Sequence, residues 1–278
     1  MSTLSSISTR LRPVAATHPE ARRYAQARRH VLSRSERVTA VHGRWAHERL
    51  LSTDADVATL LWCPGPDPST DLDDLAARVT EVADAAYTIS ERALARLHPG
   101  LSAPALLSVV RLPRWSPTQV LRPAARLLLV ADGIEYAGNL GTLIRTADAC
   151  GADGVVLTSV DARLSHPKVF VASRGTVVTM PVLEYDDVLA ARRDLTAAGV
   201  TAYVADPAAE RSYRATDYAD KAAIVVGSEG NGVCDAWRTP DLARLSIPML
   251  GQADSLNVAA SAAILLFEAR ERLGGGIT

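Results

Sequence analysis

From residue 125 onward, short β-branched runs alternate with helical patterns, and that alternation limits the possible folds more than any other feature of the chain. RLLLVAD (126–132), GVVLTS (154–159), VVTMPVL (177–183), VTAYVAD (200–206), AAIVVGS (222–228) and ARLSIPM (243–249) read as strands. LGTLIRTADACGAD, DDVLAARRDLTAAG and the late NVAASAAILLFEARERL read as helices. Strand, helix, strand in repetition implies an α/β domain with a mostly parallel sheet covered by helices on both faces. Such sheets collect ligands at the carboxyl ends of their strands. The polar segments DGIEYAGN (132–139), GSEGNG (227–232) and LGQADSLN (250–257) fall at those ends.

The preceding part reads as a second, smaller α/β unit. Residues 20–52 look helical with arginine-rich faces, VATLLWCPG is a strand closed by Pro64-Gly65-Pro66, helices are expected over Asp71–Ala85 and Ser90–Leu97, and APALLSVVRLP is a strand. RWSPTQVLRPAAR breaks the periodicity, so the expected division is a domain over 1–112, a linker over 113–124 and a domain over 125–278. A formal net charge of −1 provides no global attraction to nucleic acid, yet ten arginines against three glutamates crowd residues 1–50. Three widely spaced cysteines form neither a disulfide framework nor a metal-ligand pattern, which points to a reducing compartment and no metal. With no run of spanning length and no apolar leader, the expectation is a cytoplasmic protein without membrane contact.

Three loops could carry chemistry. In NLGTLIRTADACGA (139–152), Leu140, Leu143, Ile144 and Ala147 mark a buried helical stripe and Gly151 suits the C-terminal cap. Arg145 lies off that stripe and either projects toward a ligand at the strand ends or is a solvated arginine paired with Asp148. In VVGSEGNGV (225–233), Gly227, Gly230 and Gly232 allow unusual dihedrals and close approach of a ligand, and Glu229 is a carboxylate among them; a plain tight turn is the alternative. The loop matches neither the phosphate-binding GxxxxGK[ST] nor GxGxxG, which argues against a dinucleotide-dependent oxidoreductase. In LGQADSLN, Ser255 or Asn257 is the N-cap of the small-residue helix that follows, and both sit at the mouth of an apolar pocket.

Taken together, NLGTLIRTA, IVVGSEGNGV and SIPMLGQADSLNVAASAAILLFEA resemble the three signature motifs of the SpoU (TrmH-like) family of RNA ribose 2′-O-methyltransferases, within the SPOUT class of knotted methyltransferases. The resemblance covers roughly residues 125–273. It implies a deep trefoil knot threaded near residues 225–260, although knots are rare among folds, and a small amino-terminal domain of ribosomal-protein L30e type that binds the substrate. It implies S-adenosylmethionine as cofactor, held at Gly227, Ile247 and Leu256, with no metal, and transfer of its methyl to an RNA ribose by a homodimer. The family's activating arginine matches Arg145, supported by positions matching Asn139, Glu229, Ser255 and Asn257. Because arginine stays protonated, its first role is that of a fixed cation for a phosphate and the developing alkoxide.

Under that resemblance Arg22, Arg23, Arg28 and Arg29, interleaved with Tyr24, His30, His42 and Trp45, suit contact with folded RNA, and Arg174 in Ser173-Arg174-Gly175 lies where family members carry a basic turn. Large-subunit (23S) ribosomal RNA is the preferred substrate, with methylation that protects the ribosome from antibiotics as one role. Transfer RNA, a base nitrogen as target, and a catalytically silent RNA-binding relative are the alternatives.

Overall fold

Leu127–Asp132 is buried at all of its residues, and the sheet of the carboxy-terminal half is built around it. The computed structural model describes residues 11–66 and 71–274. It contains two compact units, residues 1–113 with 164–170 and residues 114–163 with 171–278.

The first unit runs β1 (Arg12–Val14), α1 (Pro19–Arg28), β2 (Val38–His42), α2 (Arg44–Ser52), β3 (Val57–Cys63), α3 (Asp71–Val82), β4 (Ala85–Ile89), α4 (Glu91–Leu97) and β5 (Ala105–Arg111). Its sheet has the order β1-β4-β3-β5-β2; β1, β4 and β3 are parallel, while β5 runs antiparallel to β3 and β2. Helix α1 begins where Pro19 presets φ and the His18 ring accepts from the Glu20 amide, and α4 begins where the Ser90 hydroxyl accepts from the Ala93 amide.

The single helical reading of 20–52 is corrected by β2, whose β-branched Val-Thr-Ala-Val run pairs with β5 and is buried. Pairing on the sheet outweighs the helical pattern on either side of it. Likewise, α3 ends at Val82 and the alanine-rich Ala85–Ile89 is a strand, held as such by β1 and β3 on its two sides.

The second unit runs α5 (Pro117–Val120), β6 (Leu127–Asp132), α6 (Ala137–Ala149), β7 (Gly154–Thr158), α7 (Pro167–Ala172), whose first residues cluster with the first unit, β8 (Val182–Tyr185), α8 (Val188–Ala197), β9 (Thr201–Ala205), β10 (Ala222–Val226), β11 (Ala243–Leu245) and α9 (Val258–Arg272). The six strands lie in the order β11-β9-β10-β6-β7-β8, and all their pairings are parallel. The chain winds from β6 through β7 to β8, then crosses to the other side of β6 for its remaining strands. The winding therefore reverses between β6 and β10, the place where parallel sheets open a crevice at their carboxyl edge.

Two strands are shorter than the sequence implies: 176–178 is a 3-10 turn, so β8 starts after Pro181, and β11 ends before Pro248, which has no N–H for a ladder. Helix α9 buries Val258, Ala259, Ala262, Leu265, Leu266 and Ala269 and packs on α6, β10 and β6. Among the described residues no helix is long and apolar enough to cross a membrane, and no group of three or more His, Cys, Asp or Glu is placed to hold a metal ion.

A buried histidine makes the first unit sensitive to acid. His47 is 0% exposed; its Nδ1–H donates to the Gly43 carbonyl at 2.8 Å, so Nε2 accepts from the Ser108 hydroxyl at 2.9 Å. Burial lowers its pKa to about 4, and His98 is also lowered to about 4, by burial and then by His42 and Arg28. Both folded values lie below the unfolded one, so protonation favours the unfolded chain, and stability present above pH ~6.5 is lost as pH falls toward ~4. NMR titration should find the His47 ring still neutral at pH 5, and the urea midpoint should fall between pH 6.5 and 4.5.

Candidate active site

The carboxyl ends of β6 and β7 are tied to the glycine-rich loop after β10 by one carboxylate. Asp132, 1% exposed, accepts from the Thr158 hydroxyl at 2.8 Å through Oδ1 and from the Cys234 amide at 2.7 Å through Oδ2. The loop itself closes as a turn in which Ser228 and Gly232 exchange backbone hydrogen bonds of 3.0 and 2.9 Å. Gly232 takes φ +65°, and a Cβ on Gly227 would overlap the backbone of Gly232 and Val233. Two of the three glycines thus serve the turn's own closure, whereas Gly230 faces open space. Burial, and then the Asp132 carboxylate, hold the Cys234 thiol above its usual range, so it is not primed as a nucleophile.

That turn brings Glu229 to two asparagines from distant parts of the chain. Asn139, in the first turn of α6, donates through Nδ2 to Glu229 Oε1 at 3.0 Å. Asn257 is the N-cap of α9: its Oδ1 accepts from the Ala259 amide at 3.0 Å, which turns Nδ2 toward Glu229 Oε1 and, at 3.4 Å, toward Asn139 Oδ1. The cap role open between Ser255 and Asn257 therefore falls to Asn257. Both amide N–H groups converge on one carboxylate oxygen and leave Glu229 Oε2 without a partner among the described residues.

Two cavities meet at this cluster. The larger, ≈ 320 Å³, has Val226, Leu245, Met249 and Leu265 in its apolar lining together with the three expected cofactor positions, Gly227, Ile247 and Leu256, and also Ser255. The smaller, ≈ 180 Å³, is lined by Glu135, Tyr136 and Asn139 among others and shares Ser228, Glu229 and Val258 with the first. A partly open, mainly apolar cleft with polar groups at its edge is the usual make-up of a small-molecule site. Sequence reasoning missed Asp206 and Arg238, which also line the larger cavity. Arg238 donates to the Asn231 carbonyl at 2.6 Å and so braces the turn, a link across seven residues that no spacing pattern announces.

Arg145 stands apart from this cluster. It is exposed, lines neither cavity, and its side chain makes no hydrogen bond or ion pair among the described residues, with Asp148 included. Six residues after Asn139 on the same helix, it lies about 9 Å further along the axis and about 120° round it.

The model of the SpoU rRNA Methylase family matches residues 126–267, just over half of the chain and all of this site. The chain belongs to the SpoU rRNA methylase family. Over 159 residues it is 36% identical to the 23S rRNA (guanosine(2553)-2′-O)-methyltransferase RlmP of Bacillus subtilis, a match covering 55% of this chain and 61% of that relative. Over 181 residues it is 32% identical to the 23S rRNA (uridine(2479)-2′-O)-methyltransferase of Streptomyces viridochromogenes, covering 62% of each. The chain thus spans about three-fifths of the length of these relatives. Among solved structures, an AdoMet-bound rRNA methyltransferase from Sinorhizobium meliloti matches with a TM-score of 0.78 at 25% identity, covering 94% of this chain and 98% of that one.

Outside the SpoU family match, the arginines of the first unit separate by role. Arg28 donates through Nε to the Leu97 carbonyl at 2.9 Å, and Arg23 lies 3.7 Å from Glu36, so both are engaged in the fold. Arg22 and Arg29 are exposed and line a ≈ 340 Å³ groove between α1 and α4 with Arg96, a residue the sequence reading passed over because it sits outside the basic segment. Tyr24 is buried with its hydroxyl 2.9 Å from His98 Nδ1, which removes it as a stacking surface. Arg174 is exposed at φ +54°, beside Gly175 at +79°.

Gly227→Ala should destabilise the protein by about 1–3 kcal/mol, the usual cost of overpacking. It should also displace Glu229; urea unfolding and the loss of small-molecule binding at the larger cavity measure the two effects.

Proposed function

We propose that this SpoU family protein transfers a methyl group from S-adenosylmethionine to a ribose 2′-hydroxyl of RNA, with 23S ribosomal RNA as substrate. The observation that carries this reading is the junction of the two cavities at Glu229, where an apolar small-molecule volume opens onto a cluster of amide and carboxylate groups. The residues fit the cofactor: apolar side chains for an adenosyl ring, main chain at Gly227, Ile247 and Leu256, and polar groups at Ser228 and Ser255 along the edge. Bound there, S-adenosylmethionine supplies an electrophilic sulfonium methyl.

The chain's own residues then have a ribose to prepare. A hydroxyl is a weak nucleophile until its proton is drawn away, and the open Oε2 of Glu229 is an acceptor aimed by the two asparagines, with Ser255 at the cavity mouth. Arg145 serves as a permanent cation for the adjacent phosphate and the developing alkoxide. Arg145 stands on another face of α6 from Asn139, which supports the homodimer that the family resemblance implies, with a second copy of the chain completing the site. The return of the chain from edge strand β11 to α9, packed over β10 and β6, supports a trefoil knot in this segment. The mixed five-stranded sheet of the first unit supports an L30e-like substrate-binding domain. A ribosomal RNA substrate supports a cytoplasmic location.

The test is transfer of radiolabelled methyl from S-adenosylmethionine to unmodified large-subunit rRNA, small-subunit rRNA and bulk tRNA. Label in large-subunit rRNA at a linkage resistant to alkali is the expected result; label in tRNA alone would replace the substrate, and none at all, from protein that binds the cofactor, would leave a silent RNA-binding relative. Arg145→Ala should lower turnover about 100- to 1,000-fold with cofactor affinity unchanged, and mixed dimers with Glu229→Ala should regain part of it.

Loss of Arg22, Arg29 and Arg96 together should weaken RNA binding and reduce the slope of log K against log salt by up to about 2–3 units, since each phosphate contact releases counterions. An unchanged slope in filter binding removes this groove from the RNA interface.

A further inference from the structure

Helix α6 opens on a residue that local rules disfavour. Its N-cap is Tyr136, at φ −94° and ψ 122°, and no side-chain hydrogen bond caps the helix there. Ser, Thr, Asp and Asn are preferred at this position because their side chains satisfy a free amide, which a tyrosine cannot do. Packing does not account for the choice either. The residue is 66% exposed, and its hydroxyl has no partner among the described residues. Departures from local preference without a packing return concentrate at functional positions.

The backbone beneath the ring is fixed. The Tyr136 carbonyl accepts from the Leu140 amide at 3.0 Å, the Gly133 amide donates to the Thr158 carbonyl at 2.9 Å, and the Ile134 carbonyl accepts from the Ala162 amide at 3.2 Å. Ile134 itself is buried. An exposed aromatic ring is thus held out on a pinned loop, so little backbone freedom remains to be lost when something lies against it.

The smaller cavity defines what that is. Tyr136 lines it together with Asn139 and Glu229, and its charged lining residues, Glu135 and Glu229, are both carboxylates with no cation between them. Such a cleft repels phosphate. It suits an uncharged, flat group with hydrogen-bonding hydroxyls attached.

We propose that Tyr136 is the stacking platform for the base of the target nucleotide, seating its ribose beside Asn139, Glu229 and Asn257. This inference rests on the ribose-methylation reading and assigns the half of the substrate that reading leaves unheld. Unpaired RNA bases are commonly held on aromatic faces. Every base presents a π-face, so the platform contributes affinity and placement and leaves the choice among bases to other contacts.

Steady-state methyl transfer to rRNA by wild type, Tyr136→Phe and Tyr136→Ser, with cofactor Kd and Tm measured on the same preparations, tests it. The phenyl ring retains the stacking face, so Tyr136→Phe should keep kcat/KM within about twofold. Tyr136→Ser should lose about 5- to 150-fold in kcat/KM, mainly through a higher KM for RNA, the range expected for one lost base stack. Its cofactor Kd should be unchanged and its Tm unchanged or higher, because serine restores the helix cap. A Tyr136→Ser protein with wild-type kcat/KM overturns the proposal and leaves ribose methylation standing, as does a loss that tracks a lowered Tm. Wild-type protein that binds the cofactor and methylates no RNA overturns both.

Discussion

The buried carboxylate of Asp132 is the constraint on which the site depends. Among the described residues no cation pairs with it; the Thr158 hydroxyl and the Cys234 amide donate to it where water is excluded. An unpaired charge at that depth would be costly, so the loop that supplies Cys234 is held to the ends of β6 and β7. Everything the turn carries is placed by that attachment. Glu229 reaches Asn139 because the turn cannot lift away from the strand that leads into α6.

Asn257 couples the same cluster to the last helix. One amide group ends the backbone of α9 through its oxygen and grips Glu229 through its nitrogen, so helix start and site geometry are a single arrangement. The small residues of α9 give this coupling its leverage, since Ala262, Ala269 and their neighbours let the helix lie close against α6, β10 and β6. Displacement of α9 would move a hydrogen-bond donor of the site with it. The proposed cofactor volume, which Val258, Ser261 and Leu265 help to line, would change shape in the same movement.

Much of this was legible in the residues. The parallel sheet follows from β-branched runs separated by helices, and the loops that converge were visible as polar breaks after strands. The convergence of Asn139, Glu229 and Asn257 was implied by family resemblance alone, because no local pattern spans the separations of 90 and 118 residues that the hydrogen bonds bridge. Local patterning failed where tertiary pairing overrode it, as in β2 and β4, which the helical pattern of their flanks concealed. For the glycines after β10 it left a ligand-approach loop and a plain tight turn both open, and Gly227 and Gly232 answer to the closure of their own turn. Arg28, Tyr24 and Arg96 changed places in the account of the basic surface, since what an arginine or tyrosine is bonded to cannot be read from its spacing.

The order of strands has a consequence for how the chain comes to exist. β6 is paired on one side by β7, its near neighbour in sequence, but on the other only by β10, some ninety residues later. A chain still short of Ala222 leaves one edge of the buried strand β6 bare, an adhesive edge of the kind that invites pairing with other chains. The arrival of β10 seals that edge and delivers the glycine-rich turn in the same stroke. During synthesis, then, protection against self-association and possession of a site are acquired together, and an interrupted chain has neither.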